Sequence, residues 1–289
     1  MRKIGYFVIK WTSLLPLPTL YIFSDILFFL LRHLIRYRKK VVCQNLKNAF
    51  PDLSDQEINI ISKRFYRNLS DYIVETIKSF SIHYDSLKRR TEYEGMEFFE
   101  GYKKEGKNVM ILIGHIFNWE WFFSLGPKLP QAHSYAVFKP VRNAFFNERI
   151  LEIRSRFDAI NIPMEQAARE IMRIPNDGQH AFLVLGDQSP RIDQIYYNLL
   201  FFQQDTAVYQ GFDKIAKKKN MGVLYGYVIK TGRGQYKISF VPIKPSGKFF
   251  GEHEIVKRFF SLLEENIREQ PDNWLWSHKR WKHKKGVHF

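Results

Sequence analysis

From Trp11 to Leu31 the chain runs WTSLLPLPTLYIFSDILFFLL, and Asp25 is the only charged residue within it. So apolar a stretch must leave water for a core or a bilayer, and its length is close to the roughly 20 residues of a spanning helix. The flanks favour the bilayer: Arg2, Lys3 and Lys10 precede it, and Arg32, Arg36, Arg38, Lys39 and Lys40 follow. The denser basic side is expected to stay cytoplasmic, with the rest of the chain, and to attract anionic headgroups. Pro16, Pro18 and Asp25 suit a helix lying in the interface as well as one that spans. No small-residue cleavage site follows, so a removable signal peptide is not expected. Residues 1–36 therefore read as a membrane anchor and 37–289 as the working domain.

Behind the anchor, about Tyr37 to Phe80 has a helical pattern. Ser54 and Glu57 make a capping-box pair after Pro51, and Ile58, Ile61, Phe65, Leu69, Tyr72 and Ile73 recur at helical spacing. Residues 37–85 are expected to pack as helices on an α/β core formed by 86–289. In that core Val109 to Ile113 is a short apolar run ending at Gly114. Further strands are expected at 134–138, 181–185, 198–202, 223–229 and 236–241, and helices at 144–157, 166–174, 208–218 and 254–269. The fold class that follows is α/β: a mixed, mainly parallel sheet flanked by helices, with a helical N-terminal extension.

Of the 289 residues 45 are Lys or Arg and 29 Asp or Glu, and the net charge of +16 calls for an anionic partner: nucleic acid, anionic lipid or an acidic protein. Cys43 is the only cysteine, which excludes an intrachain disulfide and a Cys-rich zinc site. There is no His-Glu-x-x-His, Gly-x-Ser-x-Gly, P-loop or dinucleotide glycine pattern, so no metal, nucleotide or other cofactor is expected.

The strongest chemical signal is Gly114-His115-Ile116-Phe117-Asn118-Trp119-Glu120. On one continuous helix, residues five apart point about 140° away from each other. His115 and Glu120 meet only if His115 lies in the turn after the strand and Glu120 in the first turn of the next helix, with Asn118 as N-cap. In that arrangement Glu120 is expected to accept a hydrogen bond from one ring nitrogen, leaving the other free as a general base toward an acceptor hydroxyl.

Other candidates surround this pair. Lys139, Arg142 and Arg154 form a basic cluster after a strand and on the next helix, suited to phosphate. Asp187 ends another strand, where a carboxylate orients a basic residue or substrate; an Asx turn is the plainer alternative. Phe122 and Phe123, just after Glu120, are candidates for a pocket that takes an apolar ligand, although core packing explains most paired phenylalanines here. The tail from Trp274 to Lys285, containing Arg280, mixes Trp with Lys, Arg and His, as at a bilayer interface or on nucleic-acid bases.

Several segments in order, RKKVVCQNLKNAFP at 38–51, GHIFNWE at 114–120, FKP at 138–140, GDQ at 186–188 and NWLWSHKRW at 273–281, resemble the late acyltransferases of lipid A synthesis, within the wider lysophospholipid acyltransferase family. The resemblance spans nearly the whole chain, and GHIFNWE fits that family's His-x4-acidic motif. It implies transfer of a fatty acyl chain from acyl carrier protein, or less often coenzyme A, to a hydroxyl of a membrane glycolipid at the bacterial inner membrane. His115 would be the base, Glu120 its orienting partner, and Lys139, Arg142, Arg154, Asp187 and Arg280 substrate contacts. The family commonly carries arginine where this chain has Lys139, which keeps the charge but loses the guanidinium fork. A lysophospholipid or amino-acid lipid acceptor stays open. A basic membrane-tethered nucleic-acid-binding protein is the remote alternative, and no nucleic-acid partner is expected.

Overall fold

A computed structural model describes residues 2–140, 143–245 and 250–283. The chain opens with α1 (Arg2–Leu14) and α2 (Leu17–Phe29), which runs on into a π-helical turn at Leu30–Leu34. The stretch Leu17–Leu34 is 18 residues long with mean hydropathy 1.4, enough by length and composition to cross a membrane. Next come α3 (Lys39–Ala49) and α4 (Asp55–Lys78). Ser54 starts α4 with a complete capping box: its hydroxyl accepts the Glu57 N–H, and Glu57 accepts the Ser54 N–H at 2.8 Å.

The core that follows contains α5 (Tyr84–Lys88), β1 (Thr91–Glu94), α6 (Glu97–Lys104), β2 (Val109–Ile113), a 3-10 segment at Trp119–Lys128, β3 (His133–Phe138), α7 (Ala144–Ser155) and β4 (Ala159–Pro163). It continues through α8 (Met164–Arg173), β5 (His180–Leu185), β6 (Asn198–Phe201), β7 (Gln204–Ala207), α9 (Gly211–Lys218), β8 (Gly222–Gly232), β9 (Gln235–Pro242) and α10 (Glu254–Glu269). Seven strands form one sheet in the order β1-β9-β8-β2-β5-β3-β4. Every neighbouring pair is parallel except the β8–β9 hairpin, so the sheet is mixed and mainly parallel.

β2 lies between β5 and β8, and all five of its residues are buried; that is why its sequence is an unbroken apolar run rather than an alternating one. The edge strands β1 and β4 carry no such run and were not expected. The expected strand at 198–202 forms, but it pairs with β7 in a separate antiparallel hairpin outside the main sheet.

The first helices pack on the core rather than standing apart from it. Leu17, Leu20, Ser24 and Phe28 are the buried face of α2, a stripe at helical spacing, and Leu17, Leu20 and Phe28 join the same hydrophobic core as the sheet. Ser24 and Asp25 of α2 are met by the body of the protein. Ser24 donates to Asp71 of α4 at 2.8 Å, and Arg233, at the turn of the β8–β9 hairpin, reaches Asp25 at 2.8 Å and Asp71 at 2.7 Å. Arg233 thus clamps α2 to α4, with about a third of its side chain still exposed. A fully buried pair loses roughly 3–5 kcal/mol when one partner is removed, and partial exposure lowers that, so Arg233→Ala should cost about 2 kcal/mol. Thermal unfolding in detergent checks this.

Candidate active site

The site forms where β2, β3 and β5 deliver their C-terminal ends, the usual location for chemistry in a parallel sheet. His115 follows Gly114 directly after β2. A Cβ at Gly114 would come within 2.5 Å of a methyl of Leu263, which is fully buried, so glycine lets the turn pack this closely on the core. Asp187 follows Gly186 after β5, on the strand paired in register with β2, and the pairing places the two loops side by side.

Asp187, not Glu120, is the carboxylate on His115. Its Oδ1 lies 2.5 Å from His115 Nδ1, and its Oδ2 accepts the His115 backbone N–H at 2.8 Å and the Trp274 indole N–H at 2.7 Å. Burial opposes the charge on Asp187, but the imidazole and the hydrogen bonds from His115 and Trp274 outweigh it and hold the carboxyl below the usual carboxylate range. A carboxylate on Nδ1 selects the tautomer with its proton there and leaves the Nε2 lone pair facing outward. Gln188 Nε2 sits 3.0 Å from that nitrogen. Its amide occupies the place of a hydroxyl approaching the base.

The expected hydrogen bond between His115 and Glu120 is therefore corrected. Asn118 does cap the helical segment, its Oδ1 accepting the Glu120 N–H at 3.0 Å. The Glu120 carboxylate, however, is turned to Arg154 of α7, accepting from Nη2 at 3.0 Å and from Nε at 3.3 Å, and to the Trp119 indole N–H at 3.1 Å. The reason is burial. Glu120 is 4% exposed, and a charge so enclosed takes a full opposite charge with fork geometry in preference to a neutral ring. Trp119, its ring centroid 5.0 Å from that of the imidazole and the two planes 68° apart, packs beside His115.

His115, Glu120, Arg154 and Lys139 nevertheless share one cavity of about 350 Å³, walled also by Tyr72, Trp119, Phe138, Ile150, Met164, Leu185, Gln188, Tyr209 and Leu275. Lys139 is exposed, and proximity to Lys139 and Arg280, after burial, lowers the Lys282 ammonium. The cleft is thus cationic near Lys139. Arg142 lies outside the described residues.

Two further expectations change. Arg280 is not among the cavity's lining residues: it is buried, donates to Ser189 Oγ at 3.2 Å and the Ala207 carbonyl at 2.9 Å, and is pushed down to about 10 by burial. It ties the tail to the loop after β5. Phe122 and Phe123 are buried beside a void of only about 20 Å³, room for roughly one water and no acyl chain. Their position is set by packing, and Phe123 also carries the Arg154 guanidinium 5.1 Å over its ring.

Gln188, Tyr72, Met164 and Tyr209 were not singled out as site residues. Gln188 stood beside Asp187 in an ordered segment, but nothing in the pattern of the other three sets them apart from core residues. The tail acts as a brace: the Leu275 N–H donates to the His115 carbonyl at 3.1 Å, and Trp274 to Asp187.

His278 sits near this brace with its pKa pushed down to about 3, mainly by burial against the pull of Asp187, with Arg280, His115 and Lys282 adding repulsion. The unfolded chain takes up this proton near the ordinary value of 6.5 and the folded one only near 3, so stability is lost as pH falls through that window. The limiting slope is about 1.4 kcal/mol per pH unit. His278→Gln should flatten the acid side of a melting-temperature profile between those values.

Comparison with curated proteins finds no match. An imidazole held by a buried carboxylate at the strand ends, facing a mixed apolar and cationic cleft, is suited to activating a hydroxyl, and the family model for bacterial lipid A biosynthesis acyltransferases matches residues 2–283; the chain belongs to that family.

Proposed function

We propose that this enzyme transfers a fatty acyl chain from an acyl-carrier-protein thioester to a hydroxyl of a lipid A precursor, with His115 as general base held by Asp187. The observation that carries the reading is the 2.5 Å contact between His115 Nδ1 and the buried Asp187, which leaves Nε2 toward the cleft. The acceptor hydroxyl displaces the Gln188 amide and gives its proton to Nε2, and its oxygen attacks the thioester carbonyl. Lys139, the exposed cation lining the cleft, is the charge suited to the developing oxyanion. As the carbon–sulfur bond breaks, the imidazolium returns its proton to the departing thiolate. Carboxylate stabilisation of the imidazolium makes Asp187 the orienting partner, the part first assigned to Glu120.

The same reading places the protein on the cytoplasmic face of the inner membrane, with α1 and α2 lying in the interface. The outer face of these helices exposes Phe7, Trp11, Ile22, Phe23, Ile26 and Phe29. The middle of α2 is bonded to Asp71 and Arg233, so a spanning pose would drag those charges into hydrocarbon. Replacing Phe23 and Ile26 together by Glu should release the protein from anionic vesicles in a flotation assay. Unchanged flotation contradicts the in-plane pose.

The acceptor is tested by incubating the purified chain with acyl-carrier thioester and, separately, a lipid A precursor, a lysophospholipid and an amino-acid lipid. The expected product is the precursor heavier by one acyl group in mass spectrometry. Acylation of another lipid with the precursor untouched would replace this acceptor.

A further inference from the structure

Glu75, near the C-terminal end of α4, is fully buried. Burial raises its carboxyl above the ordinary value, against the pull of Lys230. Asp71, one turn earlier on the same helix, is met by Lys230 at 3.2 Å and Arg233 at 2.7 Å. Glu75 has instead three uncharged donors: the Tyr21 hydroxyl of α2 at 3.0 Å, the Tyr236 hydroxyl of β9 at 2.8 Å and Asn118 Nδ2 at 3.1 Å. Among the described residues no cation is bonded to it. A buried carboxyl held this way weakens a core relative to an apolar side chain of its size, so stability alone does not account for it.

We propose that Glu75 is a positioning residue for the catalytic site, holding the loop from His115 to Glu120 through Asn118; the inference rests on the acyl-transfer reading. The Asn118 amide is bonded at both ends: its Nδ2 donates to Glu75, and its Oδ1 accepts the Glu120 N–H at 3.0 Å. The tail fixes the other side of the loop, where Asn273 accepts the Phe117 N–H at 3.0 Å and donates to the Phe117 carbonyl at 3.2 Å. Together the two attachments set where Trp119 lies against His115 and where Glu120 meets Arg154. Without Glu75 the Asn118 amide is free to turn about its side-chain bond, and the cap on Glu120 goes with it. Trp119 and Glu120 both wall the catalytic cleft, so the consequence is misplacement of groups around His115. Through Tyr21 the same carboxyl also ties the loop to α2.

The test uses the full-length protein in detergent, with kcat and KM for acyl transfer counted per folded molecule. Glu75→Leu roughly keeps the volume and removes the acceptor, and kcat should fall at least about tenfold with KM within about twofold of the parent. A purely structural role would lower the melting temperature and leave kcat per folded molecule unchanged, and that result overturns the proposal. A swap of donor and acceptor covers the case in which Glu75→Leu fails to fold. Asn118→Asp keeps an acceptor for the Glu120 N–H but sets a second carboxylate against Glu75, and should also lower kcat at least about tenfold. Adding Glu75→Gln restores a donor to that contact and leaves partners for Tyr21 and Tyr236, so kcat should return to within about threefold of the parent. A double variant no faster than Asn118→Asp alone overturns the proposal.

Hydrogen exchange keeps the two readings apart, because it needs no turnover. In Glu75→Leu, or in Asn118→Asp if the first is unfolded, amides from His115 to Trp121 should exchange at least about tenfold faster, with β5 and α10 at parental rates. Unchanged exchange in the loop overturns the positioning role and leaves acyl transfer intact. Faster loop exchange in a protein that acylates no acceptor supports the hold of Glu75 on Asn118 and removes the proposed reaction.

Discussion

His115→Ala should lower kcat for acyl transfer by about 10³-fold, within the range of roughly 10²–10⁴ for a positioned general base, with KM little changed. Asp187→Asn should come close to the same loss for a different reason. An asparagine carbonyl can still accept from the His115 backbone and Trp274, so the loop keeps its shape. The side-chain amide, however, presents N–H to Nδ1 and moves the ring proton to Nε2, where the hydroxyl needs a lone pair. Single-turnover rates on the purified variants check both. Activity within tenfold of the parent in either would remove His115 and Asp187 from the chemistry.

The second large effect is on stability. Glu120→Ala should cost about 3–5 kcal/mol, because it strands the Arg154 guanidinium in a side-chain environment only 9% exposed. Arg154→Met should cost a similar amount by stranding Glu120. The double change Glu120→Leu with Arg154→Met should recover most of the loss, since neither charge is then left alone, and the coupling in a double-mutant cycle measures the pair. Denaturant unfolding in detergent gives the values. If Glu120→Ala instead kept full stability while acyl transfer vanished, its carboxylate would belong to the chemistry and not to the scaffold around Arg154.

The contrast between the two carboxylates follows from the sheet. Glu120 is near His115 in sequence, and Asp187 is 72 residues away. β2 and β5 pair in register from Val109 with Ala181 to Ile113 with Leu185, so the residues just beyond their ends are neighbours however long the connection. The backbone N–H and ring Nδ1 of His115 and the Trp274 indole then give Asp187 three hydrogen bonds in a buried position, which Glu120 could not match without giving up Arg154.

The sequence by itself determined those features that arise locally. The unbroken apolar run of β2, the capping box at Ser54, the Asn118 cap and the apolar helix from Leu17 are each written in a few neighbouring residues, because propensity, capping and burial pattern act over one or two turns. The ordered segments from Arg38 to Trp281 were legible too, and through them the family. Only the tertiary structure decided which charge meets which. The pairing of strands distant in sequence put Asp187 on His115, burial turned Glu120 to Arg154, and the packing of α4 against the loop after β2 put Glu75 on Asn118. Electrostatic partners and empty volumes depend on distances between elements, and a linear pattern records neither.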